Sequence, residues 1–241
     1  MAGFGKVVVA TGLLLLAIHG IWTGWKEAEE ETKLVFTPAQ TSPSVYPLGQ
    51  PKVELPVTFP GTKLTAQALA MYEGAFAEDG SGDNVTNVAA LILHNAGETG
   101  IAYAEVELTI EGSRYSFTVT CLPPGGKVLV PEVSRQPFQQ GDITQCRCVE
   151  LVEGIFDLAQ DRLRITQNGM AGVILENTAR EELRNVCLYY KLYANAQNMY
   201  VGGVTYRYPV GTLQPGQRLE VIPEHFVWGY SAIVGVGTGE E

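Results

Sequence analysis

The sequence predicts an all-β protein: two tandem antiparallel β-sandwich modules behind an N-terminal transmembrane helix. Three observations predict it. An uncharged apolar run lies near the start, four short blocks recur in order along the rest, and the segments between turn signals alternate with period two, not 3.6.

The apolar run is Val7 to Trp25, which holds no Asp, Glu, Lys or Arg. As a helix it spans about 28 Å, close to the hydrocarbon thickness of a bilayer. Trp22 and Trp25 sit where an interfacial aromatic belt lies. The alternative is a cleaved signal peptide, but the following Lys26-Glu27-Ala28-Glu29-Glu30-Glu31 is a poor cleavage context. No Cys precedes Cys121, so no lipoprotein anchor is expected. The expected order is a cytoplasmic tail (1–6), the membrane helix (7–25), a stalk (26–62) and two modules (63–150 and 151–241). Basic residues flank both sides of the run and do not orient it. The C-out orientation, at the cell membrane with a single pass, follows from the stalk and the modules.

Within 34–62 stand Pro38, Pro43, Pro47, Pro51, Pro56 and Pro60, six of the 13 prolines. They forbid helix and favour an extended spacer. The end of this stretch, Val53-Glu54-Leu55 and Val57-Thr58-Phe59, is alternatively a first edge strand.

The repeat sets the architecture. Tyr72-Glu73-Gly74-Ala75-Phe76 recurs as Val152-Glu153-Gly154-Ile155-Phe156, and Ala90-Leu91-Ile92-Leu93-His94-Asn95 as Gly172-Val173-Ile174-Leu175-Glu176-Asn177. Leu122-Pro123-Pro124-Gly125-Gly126-Lys127 recurs as Leu213-Gln214-Pro215-Gly216-Gln217-Arg218, and Val130-Pro131-Glu132 as Ile222-Pro223-Glu224. The offset grows mainly between the second and third blocks, where the second copy carries a longer connection, Ala194 to Gly203. In the first copy Ala104, Val106, Leu108 and Ile110 form one face of a strand, and Glu111-Gly112 turns into Tyr115, Phe117 and Val119. Val186, Leu188, Tyr190 and Leu192 answer in the second copy, followed by Tyr206, Tyr208 and Val210. One strand, from Ile143, runs through the 150/151 boundary without a break.

At Leu93-His94-Asn95-Ala96-Gly97, the alternating strand after it, and Leu122-x-Pro124-Gly125, the sequence resembles bacterial extracellular immunoglobulin-like modules of the cell-adhesion-related (CARDB-like) class. The second copy keeps Asn177 and Leu213-x-Pro215-Gly216 but has Ala179 for Gly97. The resemblance implies a surface or spacer role and brings no catalytic residue.

The charge of −10, from 16 Lys+Arg against 26 Asp+Glu, argues against a nucleic-acid partner, since phosphate recognition needs clustered positive charge. Asp79, Ser81 and Asp83 place oxygens at alternating positions of a Gly-rich loop. Such oxygens can serve calcium, although no Glu stands at the EF-hand distance, the second copy lacks the cluster, and a polar Gly-rich connection is the favoured reading. No cofactor is expected. Tyr189 and Tyr193 fall on the outward face of their strand, as a binding patch or as a face covered by the neighbouring module. Of four cysteines, Cys121 is expected to bond Cys146 or Cys148, with four reduced thiols as the competing reading. Cys187 is expected on the outward face beside Tyr189. No nucleophile context or phosphate loop is present, so the expectation is a non-enzymatic spacer, adhesion or assembly protein. Its partner is expected to be a protein or cell-envelope component. The alternative is carbohydrate or envelope-polymer binding through Tyr189 and Tyr193.

Overall fold

A computed structural model describes residues 52–154 and 156–238. The expected membrane helix at 7–25 lies outside the described residues. Among those described, no helix is long and apolar enough to cross a membrane.

The described chain is all-β and sandwich-like, as the alternation predicts. Its strands are β1 (Val57–Thr58), β2 (Leu64–Ala75), β3 (Asn84–Asn95), β4 (Gly100–Ile110), β5 (Ser113–Leu122), β6 (Lys127–Pro131) and β7 (Ile143–Gly154). They continue as β8 (Leu163–Asn168), β9 (Gly172–Asn177), β10 (Leu183–Ala194), β11 (Met199–Leu213), β12 (Arg218–Val221) and β13 (Ser231–Gly237). One sheet has seven strands in the order β1-β2-β3-β6-β11-β10-β13, and two have three, β5-β4-β7 and β12-β9-β8.

Alternation decides which residues face inward. Ala104, Val106, Leu108 and Ile110 of β4 and Tyr115, Phe117 and Val119 of β5 are buried in one core with Leu91, Leu93 and Val130. Val186, Leu188 and Tyr190 of β10 are buried in another with Val173, Leu175 and Leu213. The turn between β4 and β5 has Glu111 at φ 48° and Gly112 at φ 81°, the two positive angles a two-residue hairpin of the right twist requires.

A buried asparagine closes each half. Asn95 donates from Nδ2 to the carbonyls of Thr99 (2.8 Å), Leu122 (3.3 Å) and Pro123 (3.2 Å), while Oδ1 accepts from Gly97 N–H (3.0 Å). Asn177 donates to Glu181 (2.8 Å) and Leu213 (2.9 Å) and accepts from Ala179 N–H (2.9 Å). These bonds tie two turns to the end of the neighbouring strand, which is why the Asn and the Leu-x-Pro-Gly recur together.

The same registers align the halves. Leu64 stands opposite Asn95, and Leu163 opposite Asn177. By pairing, therefore, β8 answers to β2, β9 to β3, β10 to β4 and β13 to β7. This corrects one block of the repeat: Tyr72 lies near the end of β2 but Val152 near the end of β7, strands with different partners. β7 pairs with β4 along its length, from Ile110–Ile143 to Gly100–Gly154, so the strand that crosses position 150 belongs to the first core. The end of the Pro-rich stretch also belongs there. β1 pairs with β2, Val53, Leu55 and Val57 pack against the core, and Phe59 is buried.

Candidate functional site

The halves meet where β11 reaches past its own sandwich. Its first residues pair in parallel with β6, Tyr200 with Val128 and Val201 with Leu129, which makes the seven-stranded sheet continuous across both halves. Met199 and Val201 join a third apolar cluster with Tyr72, Phe76, Val88 and Leu129 of the first half. The connection that looked merely longer in the second copy is this joint: Tyr193 pairs with Tyr200 and Ala194 with Met199 around a 3₁₀ turn at Asn195–Gln197.

At its centre Gly203 passes against β5. A Cβ there would fall 1.8 Å from the Thr118 carbonyl oxygen, so only glycine permits the approach. Beside it lies Lys191, fully buried (0% exposed). Its Nζ donates to the carbonyls of Gly203 (2.8 Å), Val204 (2.8 Å) and, across the joint, Thr120 (3.0 Å), with Thr205 Oγ1 at 3.2 Å. Thr120 Oγ1 donates to the Gly203 carbonyl (3.0 Å) and Thr205 Oγ1 to the Thr120 carbonyl (3.0 Å). Glu78 of the first half accepts Gly203 N–H at 2.8 Å.

Burial pushes the Lys191 pKa down to about 7, against the pull of the nearby Glu78 and Cys121. Burial also raises Glu78, opposed by Gly203 N–H and Lys191, and raises Cys121, opposed by Thr205 and Lys191. An ammonium with three carbonyl acceptors is the polar core of a joint. With every proton engaged and no exposed surface, it offers no substrate a place.

Alternation along β10 puts Lys191 on the face of Cys187, Tyr189 and Tyr193, opposite to Val186, Leu188 and Tyr190. That face is outward only from its own sandwich. The signal was a lone cation among two tyrosines and a cysteine, opposite a Gly202-Gly203 pair.

Tyr189 and Tyr193 are half-buried. The Tyr189 ring lies against Gly237, whose Cβ position is 3.2 Å from it. Tyr193 stacks edge-on with Tyr200 (centroids 5.2 Å), its hydroxyl bonds Asn198, and it lines a cleft of about 640 Å³ that Tyr189 does not reach.

Asp79, Ser81 and Asp83 do converge, on a guanidinium. Arg135 bonds Asp79, Ser81 Oγ (2.8 Å) and Asp83 (3.3 Å) while lying 4.7 Å over the Phe76 ring. Ser81 first, then Arg135, holds the Asp79 carboxyl below its usual range. Among the described residues no three His, Cys, Asp or Glu converge as a metal site.

The sulfurs of Cys121, Cys146 and Cys148 are not brought together; these three and Cys187 are unbonded. β4 separates β5 from β7, and Cys148 stands opposite Val106, whereas Leu122, beside Cys121, stands opposite Ile101. At about 3.3 Å per residue and 4.8 Å per strand, the Cys121 and Cys148 Cα atoms are on the order of 16 Å apart. A disulfide tolerates about 7 Å. Cys146 and Cys148 instead pack on the first core, and burial lifts the Cys146 thiol to about 12. Cys187 is buried, its Sγ accepting from Arg207 Nε at 3.1 Å.

No protein-family model matches this chain, and no curated protein matches it.

Proposed function

We propose that the protein is a membrane-anchored, extracytoplasmic, non-enzymatic spacer and assembly element, two immunoglobulin-like modules held as one stiff rod. The observation that carries this reading is the joint at Lys191. A flexible tether would leave the junction hydrated; here a lysine of the second half spends its protons on carbonyls of both halves. Gly203 is sacrificed to close approach, and the sheet runs through. Such a joint suits a part that holds its ends at a fixed separation. The anchor rests on the uncharged run at 7–25, and the outward orientation on the architecture.

The test is topological. Full-length protein should remain with the membrane fraction, and external protease on intact cells should cut residues 63–241. A released form lacking roughly the first 25 residues would replace the anchor by a signal peptide. Protection of the sandwich from protease would reverse the orientation.

A further inference from the structure

The two halves differ at one edge. In the first, residues 53–58 close the side of the sandwich between β2 and β7. Val53 N–H donates to the Ile143 carbonyl at the start of β7 (2.8 Å). Val57 and Thr58 then pair antiparallel with Ala66 and Thr65 of β2, and Val53, Leu55 and Val57 point at the core.

The registers carry these positions into the second half. With Leu163 answering to Leu64, Arg164 and Ile165 answer to Thr65 and Ala66. Ile143 pairs with Ile110, and Ser231 with Leu192, the residue that answers to Ile110; Ser231 therefore answers to Ile143. Between these two places lies the 640 Å³ cleft, lined by Leu163, Arg164 and Ile165 on one side and Ser231, Ala232 and Ile233 on the other. Among the described residues, the connection before β8 meets β13 at its far end, where Val236 N–H donates to the Asp157 carbonyl (2.7 Å). Leu158, Tyr193 and Trp228 add apolar surface to the wall, and Gln160, Thr178 and Asn195 add polar groups. Among the described residues β8 and β13 are both edge strands, and β13, Ser231-Ala232-Ile233-Val234-Gly235-Val236-Gly237, carries no charge to discourage pairing.

We propose that this cleft accepts an extended strand of a partner polypeptide, apolar at alternate positions and antiparallel to β8, seated as residues 53–58 are seated in the first half. Strand addition supplies affinity through main-chain bonds and selectivity through the alternating pockets. The occupant is a partner's segment because, among the described residues, this chain's segment of that pattern already fills the first half. The inference is independent of the anchor and of the joint.

A synthetic peptide of residues 52–59, Lys-Val-Glu-Leu-Pro-Val-Thr-Phe, serves as probe with the full-length protein. Hydrogen exchange should show saturable protection of 163–165 and 231–233, with Kd below about 1 mM. A peptide with Leu55→Asp and Val57→Asp should bind at least about tenfold more weakly. Ile165→Asp, which puts a charge on the β8 wall of the cleft, should abolish the protection; if that variant does not fold, the substituted peptide still decides. No binding at about 1 mM overturns the proposal. So does protection confined to β2 and β7, which is exchange with the chain's own segment. Concentration-dependent dimerisation that shields β8 and β13 and resists the peptide overturns it in favour of a second copy. Protection by chito-oligosaccharide but not by peptide overturns it in favour of sugar binding.

Discussion

Lys191→Met removes the cation of the joint while nearly keeping its volume. The loss is worked from the donors left behind. Thr205 Oγ1 still serves the Thr120 carbonyl, and Thr120 Oγ1 still serves the Gly203 carbonyl. The Val204 carbonyl loses the donor described for it, and Glu78 loses its neighbouring cation. An unsatisfied buried acceptor costs about 1–3 kcal/mol, but the variant no longer has to desolvate a cation, so a net loss of roughly 1 kcal/mol is expected at neutral pH. The loss must also depend on pH. The folded-state pKa of Lys191, about 7, lies below the ordinary lysine value, so between the two the unfolded chain binds more protons and stability rises with pH. Between pH 7 and 9 this one group contributes an increase of roughly 2 kcal/mol to the wild type and nothing to the variant. Cysteines and tyrosines that do not interact with Lys191 cancel in the difference. Urea denaturation of both proteins at pH 7, 8 and 9 measures it. A gap between wild type and variant that stays constant over this range would falsify the assignment of a depressed pKa. A variant as stable as wild type at pH 9 would refute the clamp itself.

Gly203→Ala should destabilise the protein by roughly 2–3 kcal/mol, because its Cβ would fall on the Thr118 carbonyl oxygen; thermal melting at neutral pH reads this directly. Asn95→Ala and Asn177→Ala should each cost about 1–3 kcal/mol, since each leaves one buried carbonyl, of Leu122 or Leu213, without its donor and frees further half-buried turn partners. Chemical denaturation that moves by less than about 1 kcal/mol would deny the asparagines their closing role. Protein unfolded without reductant should take up four equivalents of an alkylating reagent, and a Cys121–Cys146 or Cys121–Cys148 peptide in a non-reducing map would contradict the strand order.

The sandwich was legible because alternation is a local signal. Ala104-x-Val106-x-Leu108-x-Ile110 states its buried face without reference to anything distant, and Asn95 with Leu122-Pro123-Pro124-Gly125 marks a closure inside one half. The joint was not legible for the opposite reason. Lys191 looks solvated until β5 and β11 are placed over it, and that placement depends on a parallel pairing between β6 and β11, far apart in sequence. The cysteines failed likewise: β5 and β7 share a sheet, but the register across β4 offsets their sulfurs. The Asp79 loop showed its oxygens but not the guanidinium they meet, because Arg135 arrives from beyond β6. The Tyr72 and Val152 blocks show that a short match of strand-end residues can join strands that are not equivalents, where pairing register separates them.

The central claim is that the two halves act as one body, and calorimetry of the full-length protein tests it most directly. A polar joint of this kind should make them unfold together, in one transition whose calorimetric and van't Hoff enthalpies agree to a ratio of about 1. Lys191→Met should split that transition. Two resolved transitions in the wild-type protein, or a ratio near about 2, would contradict the account and make the halves independent beads.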